Sequence, residues 1–201
     1  MESKIKTFIF DFFGVICDPV LNSWYKDNRL KNGLVDGNIH NIFRQFNLGI
    51  KSEDDIVDYF LKYDGVNVTK EKLHEDLDNY LKIDKNLVKN IEHLKSRGYK
   101  TILLSNGNNS FFEKIISIKY PNFRNCFDEI IISSVVGLVK PDAAIYLHAL
   151  QKTNSKPEET LFIDDHKVNV DGAKKLGINS YLYTDSQSFA KYINSIGINL
   201  S

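Results

Sequence analysis

The sequence predicts an α/β fold: a three-layer core around a mainly parallel five-stranded sheet, with a helical segment inserted near the start. Two observations carry that prediction. Five short apolar runs recur along the chain, most of them continuous rather than alternating, which marks strands buried on both faces. Stretches of helical periodicity separate them, and strand–helix alternation implies right-handed crossovers onto a sheet with helices on both sides.

The first run, Thr7–Phe10, leads into Asp11, two aromatics and Gly14. From about Val20 to Leu81 the alternation breaks, and only helical patterns are found. Ile39, Ile42, Phe43 and Phe46 share one helical face, and Ile56, Tyr59, Phe60 and Tyr63 share another. Between them Ser52-Glu53-Asp54-Asp55 resembles a capping box, with Asp where Glu or Gln is usual. Leu73, Leu77 and Leu81 suggest a third helix. The expected division is therefore a core of residues 1–18 and 82–201 and a helical cap of residues 19–81. Leu87, Ile91 and Leu94 form the next helical face, stopped by Gly98. The second run, Thr101–Leu104, precedes a face of Phe112, Ile115 and Ile116 that ends before Pro121. The third run is Glu129–Ile132. Pro141 suits a helix start, followed by Ile145, Leu147 and Leu150. After the fourth run, Thr160–Ile163, Val168, Ala173 and Leu176 lead to a terminating Gly177. The fifth run, Ser180–Tyr183, precedes a last helix holding Phe189, Tyr192, Ile193 and Ile196.

Composition narrows the function. The chain has 201 residues, with 26 basic and 26 acidic side chains. A nucleic-acid partner would call for a basic excess, which is absent. No apolar run reaches membrane-spanning length, and MESKIKTF lacks the apolar stretch of a secretory signal. Two cysteines, Cys17 and Cys126, make no disulfide framework. The expectation is a cytoplasmic protein with reduced thiols and no membrane or nucleic-acid partner. Its oligomeric state is left open.

Open parallel sheets bind ligands beyond the C-terminal ends of their strands, and polar residues gather there. The first strand ends at Asp11, the second in Ser105-Asn106-Gly107, the fourth in Asp164-Asp165-His166, while Lys140 lies in a loop. Two carboxylates from neighbouring strands can bind Mg²⁺, which also takes substrate phosphate. A carboxylate can serve as a nucleophile, and a lysine offsets the charge of acids and phosphate. Each residue also has a plainer role. Asp164 and Asp165 could cap the following helix, Ser105-Asn106-Gly107 is a good turn, and Lys140 could be a solvated loop charge. Trp24, Tyr25, Arg29 and Arg44 could line a substrate face of the cap or simply pack.

The segments FIFDFFGVI, TILLSNG, GLVKPDAAIY and TLFIDDHKVNVDGAKKLGI stand in order over nearly the whole chain. Together they resemble the four motifs of the haloacid-dehalogenase-like (HAD) superfamily, mostly Mg²⁺-dependent phosphatases with a Rossmann-like core. NLGIKSEDDIVDYF is similar to the cap of the subgroup related to sugar-phosphate phosphatases and the epoxide hydrolase N-terminal phosphatase domain. The resemblance implies that Asp11 is nucleophile and metal ligand. It implies that Ser105 holds the transferred group, with Asn106 beside it, and that Lys140 pairs with nucleophile and phosphate. Asp165 would be the main motif-four metal ligand, Asp164 a water-mediated ligand or orienter, and Asn169 a supporting polar residue. The implied substrate is a small phosphorylated metabolite.

One position departs from the pattern. The second acid of the usual D-x-D is here Phe13, which keeps a carbonyl for the metal but has no proton to give. Such proton transfer contributes roughly a hundred- to ten-thousand-fold in rate. Three readings follow: a phosphatase using another base or an easy leaving group, a phosphate-binding or protein-binding relic, and a metal-free 2-haloacid dehalogenase. The dehalogenase branch has an aromatic at this position but tends to lack the motif-four acids, and two unneutralised acids would repel an anionic substrate.

Overall fold

Five strands, β1 (Thr7–Phe10), β2 (Lys100–Ser105), β3 (Glu129–Ile132), β4 (Thr160–Asp164) and β5 (Asn179–Leu182), form one sheet in the order β3-β2-β1-β4-β5. The computed structural model describes residues 4–28, 38–63, 68–114 and 118–200; Arg29, Ile115 and Ile116 lie outside them. Every strand pairing is parallel, with Phe10 opposite Leu103 on one side and Ile163 on the other. The apolar runs therefore lie where they were expected, to within a residue or so at each end.

The continuous apolarity of the central strands is explained by two cores. Side chains alternate across a strand, so Ile9, Ile102, Leu104 and Phe162 point to one face, where α8 (Ala143–Lys152) and α9 (Lys167–Lys174) cover them. Phe8, Phe10, Leu103, Leu161 and Ile163 point to the other. There α5 (Lys85–Ser96) supplies Leu87, Ile91 and Leu94, and α10 (Ser186–Ser195) supplies Phe189 and Ile193. Two short helices complete this part of the chain, α6 (Asn109–Lys114) after β2 and α7 (Ser133–Val136) after β3. Asp84 starts α5 by accepting from the Asn86 and Leu87 N–H groups at 2.8 and 3.1 Å, and Asp185 starts α10 by accepting from Ser188 N at 2.7 Å.

The phases of α8 and α9 differ from expectation. Leu147 and Val168 are exposed, while Tyr146 and Asn169 turn inward. The Tyr146 hydroxyl donates to the Asn169 carbonyl at 2.9 Å, and Asn169 serves a buried carboxylate. Polar satisfaction, rather than apolarity alone, sets which residues face in.

Four helices lie between β1 and α5, namely α1 (Val20–Asn28), α2 (Ile39–Asn47), α3 (Glu53–Tyr63) and α4 (Lys70–Asn79). They share a core in which Trp24 stacks near Phe60 at 4.5 Å between ring centroids. That packing fixes Trp24 and Tyr25 as buried residues rather than ligand-facing ones. The capping box before α3 forms with Asp in the Glu role: Ser52 N donates to Asp55 Oδ2 at 2.7 Å, and Asp55 N to Ser52 Oγ at 3.1 Å. Glu53 does more than begin that helix. It is buried, accepts from Lys114 Nζ at 2.7 Å and from Ser110 Oγ at 3.2 Å, and faces His74 Nδ1 at 2.8 Å. Lys114 also donates to Asp78 at 3.1 Å, and His74 Nε2 lies 2.9 Å from Asp54. This network ties α3 and α4 to α6.

Candidate active site

Strand order reverses at β1, and the C-terminal tips of β1, β2 and β4 there converge on one lysine. Asp11 follows β1 directly, and its backbone N–H continues the ladder to the Ile163 carbonyl at 2.9 Å. Asp164 closes β4. Lys140 reaches both, its Nζ 2.7 Å from Asp11 Oδ1 and 2.7 Å from Asp164 Oδ2. Lys140, Asp11 and Asp164 are 3%, 4% and 0% exposed, so the lysine is no solvated loop charge.

Every member is gripped. Asp11 Oδ1 also accepts from Phe12 N at 2.7 Å. Asp164 accepts from His166 N at 2.8 Å and from Asn169 Nδ2, which lies 3.1 Å from both carboxylate oxygens. Asn106, at the tip of β2, holds the backbone of Lys140 at both ends: its Nδ2 donates to the Lys140 carbonyl and its Oδ1 accepts from the Lys140 N–H, each at 2.8 Å. Its carboxamide oxygen and one N–H are thereby used on the lysine loop, which leaves the second N–H for a ligand.

Asp11, Asp164 and Asp165 each offer an oxygen, and these oxygens lie within 4.8 Å of one another. Three carboxylates share one buried ammonium, and the half-exposed His166 ring lies 3.6 Å from Asp165 on the outer side, so acid is in excess at the core of the site. The electrostatics follow. Burial pushes the Asp11 carboxyl well above the usual carboxylate range, with Asp164 and Asp165 adding to the push against Lys140. Burial likewise raises Asp165. Burial opposes the charge on Lys140 as well, but Asp11 and Asp164 outweigh it and hold its pKa above that of an ordinary lysine. Two buried oxygens, Asp165 Oδ1 and Ser105 Oγ, have no hydrogen-bond partner. A hard divalent cation with oxygen ligands fits this donor set.

Two glycines make room at the site. Gly14 has φ +93°, and a Cβ there would overlap the Asp165 carboxylate. A Cβ on Gly107 would come within 2.6 Å of the Phe13 ring. Phe13 thus packs against Gly107, with Phe12 at 4.8 Å and Phe111 at 6.4 Å between ring centroids. Cys17, close by in sequence, is a free buried thiol that burial pushes up to about 12, and Cys126 is likewise free, buried and raised to about 11.

A cavity of about 320 Å³ opens above the acids, and Asp11, Phe13, Asn106, Lys140, His166 and Asn169 line its core side. The other wall contains residues sequence reasoning passed over. Asn22 on α1 and His40, Phe43 and Asn47 on α2 join Arg44 there. The available signal was spacing: 40, 43, 44 and 47 fall on one helical stripe, with Ile39, Ile42 and Phe46 buried on the other side.

Acids and a lysine gathered at the strand tips of a doubly wound sheet stand where such sheets bind ligands, and the comparisons with known proteins supply the class. A family model described as haloacid dehalogenase-like hydrolase matches residues 5–177. The chain belongs to that family. Its curated relatives include phosphatases, an epoxide hydrolase and haloacid dehalogenases. It is 33% identical over 94 residues to a glyceraldehyde 3-phosphate phosphatase of Pyrococcus furiosus, covering 46% of this chain and 38% of that protein. It is 29% identical over 87 residues to (S)-2-haloacid dehalogenase 1 of a Pseudomonas species, covering 43% and 37%. The matched segments span 19% to 53% of the length of the first curated relatives. Among solved structures, a HAD family enzyme from Bacteroides thetaiotaomicron superposes with a TM-score of 0.78 at 20% identity, over 94% of this chain and 98% of that one. The same enzyme has been crystallised with magnesium and inorganic phosphate. The membership also gives the fold its name, a Rossmann-like HAD core. No helix among the described residues is long and apolar enough to cross a membrane.

Proposed function

We propose that this hydrolase is a Mg²⁺-dependent phosphatase acting on a small phosphorylated metabolite, with residues 19–81 as a cap over the core of residues 1–18 and 82–201. One observation carries the reading: the Asp11–Asp164–Asp165 cluster, whose acids outnumber the one buried lysine that pairs with them. Phosphatase relatives and a structural neighbour holding magnesium and phosphate support it. Asp11, Asp165 and the Phe13 carbonyl would hold Mg²⁺. Asp164 would join through water, since Lys140, His166 N and Asn169 already occupy its oxygens. Bound there, the ion neutralises acids and phosphoryl oxygens and lets an anionic substrate approach.

The chain's own residues do the rest. Asp11 attacks phosphorus and the alcohol oxygen departs with the bonding pair, forming an aspartyl-phosphate. Water then cleaves that intermediate, releasing inorganic phosphate and restoring Asp11. Lys140 opposes the protonation of Asp11 and positions it, and Ser105 Oγ, unpartnered at the tip of β2, donates to a phosphoryl oxygen. Phe13 cannot protonate the leaving oxygen, so leaving groups that depart as stable anions are favoured.

An assay of acetyl phosphate, phenyl phosphate and alkyl phosphates with Mg²⁺ and with EDTA tests this. The expected result is Mg²⁺-dependent turnover that falls at least about 10⁴-fold in Asp11→Asn. Turnover without metal, or turnover surviving Asp11→Asn, refutes the mechanism. Absence of all hydrolysis with intact Mg²⁺ binding would favour a relic that binds phosphate. Metal-free chloride release from a 2-haloacid would favour a dehalogenase.

A further inference from the structure

The cavity wall opposite the acids carries its own chemistry. α2 presents His40, Phe43, Arg44 and Asn47 to the cavity, one stripe of a helix whose other side is buried. Among the described residues lining the cavity, Asp11 is the lone carboxylate, while Lys140, His40, Arg44 and His166 line it too. Lys140 is committed to Asp11 and Asp164. Arg44 has a looser attachment. It reaches across to Asp142, two residues after Lys140, at 3.6 Å, with both side chains 56% exposed. That exceeds hydrogen-bond length, and such an exposed pair is readily exchanged. Asp142 stands at the start of α8 without capping it through its side chain. Adjoining the cavity, and sharing Phe13, Phe43 and Asn47 with it, a niche of about 80 Å³ also walled by Phe46 and Phe111 is too small for a bulky group.

We propose that Arg44 is a specificity residue that reads a second anion on the substrate, so that the preferred substrates are small phosphomonoesters whose alcohol part carries a carboxylate or a second phosphate. The inference rests on the phosphatase reading above. A guanidinium fork suits a carboxylate or a phosphate. The substrate anion displaces Asp142 from Arg44, so Asp142 acts as a resident competitor.

The test compares kcat/KM within matched pairs: 3-phosphoglycerate against glycerol 3-phosphate, and fructose 1,6-bisphosphate against fructose 6-phosphate. The first pair reads a carboxylate and the second a phosphate, so the larger ratio identifies the source of the anion. In the wild type the anion-bearing member is favoured. Arg44→Gln lowers that ratio about tenfold or more, through KM, Arg44→Lys lowers it less, and Asp142→Asn raises it. A merely structural role for the pair would move both variants in the same direction. A wild-type ratio of one or below, or a ratio that Arg44→Gln leaves in place, overturns the proposal. Acetyl phosphate separates the two failures. If it is hydrolysed with Mg²⁺ and Asp11 while the ratios are flat, only this inference fails; if it is not hydrolysed, the underlying reading fails and this one with it.

Discussion

Two charge networks in this molecule, one half-exposed and one enclosed, use the same ingredients to opposite ends. At the junction of α3, α4 and α6, Glu53 meets Lys114 and His74, and those two meet Asp78 and Asp54. At the strand tips, Asp11 and Asp164 meet Lys140, with Asp165 beside them. The junction opens to solvent, with Asp54 and Asp78 65% and 38% exposed, and Lys114 keeps a raised pKa: burial opposes its charge, but Glu53 and Asp78 outweigh it. The strand-tip network is enclosed, so its excess of acid goes unscreened, and burial drives Asp11 and Asp165 toward protonation. A network whose outer acids reach water is a fastener. One that encloses an excess of acid is a binding site for whatever restores neutrality.

That contrast can be broken first at Lys140. Lys140→Met strips the counter-charge from buried Asp11 and Asp164 and should cost about 3–5 kcal/mol, read as a lower urea midpoint in EDTA. Mg²⁺ should recover part of the loss; a midpoint near wild type would mean that the acids are already protonated and the imbalance is nominal. Phe13→Asp adds an acid to the unbalanced site. It should raise turnover of alkyl phosphates about a hundredfold relative to acetyl phosphate, because only the poorer leaving group needs the proton. Equal gains on both would show that Phe13 does not stand in the place of a general acid. At the junction, Glu53→Gln should cost about 2 kcal/mol by weakening charged hydrogen bonds, with the same loss in EDTA and in Mg²⁺. A Mg²⁺-dependent loss would make the junction part of the site.

The smallest effect sharpens the comparison through pH. Asp11 and Asp165 have raised pKa values when folded, so the folded metal-free protein holds protons that the unfolded chain releases. Stability then falls as pH rises from the ordinary carboxylate range through the raised values. Mg²⁺ competes with those protons, so the stability gap between Mg²⁺ and EDTA, read by urea unfolding, should widen across that window by about 1.4 kcal/mol for each unit of carboxylate shift. A gap that stays level with pH would mean that neither acid is metal-linked.

The strand-tip network was legible in the sequence because its logic is local. Three apolar runs each end at or near their polar residues, and Asp11, Ser105, Asn106 and Asp164 are placed by strand geometry alone. The burial of Lys140 was not local: Asn106 holds it across 34 residues. The junction stayed hidden for the same reason, since Glu53 finds Ser110 and Lys114 57 and 61 positions away. Read along the chain, Glu53-Asp54-Asp55 is simply a helix start. The cavity stripe on α2 was half visible. Phe43 was assigned to the buried face and His40 drew no attention, because a nine-residue helix gives too few turns to fix its phase at the margin between faces.

The two thiols make the molecule convenient for spectroscopy. Cys17 and Cys126 are both buried, with pKa values near 12 and 11, so neither carries appreciable thiolate at neutral pH. A cysteine introduced at exposed Asn41 on α2 would then react alone with a maleimide dye. Movements of α2 against the strand tips could be followed by fluorescence without first removing a native residue.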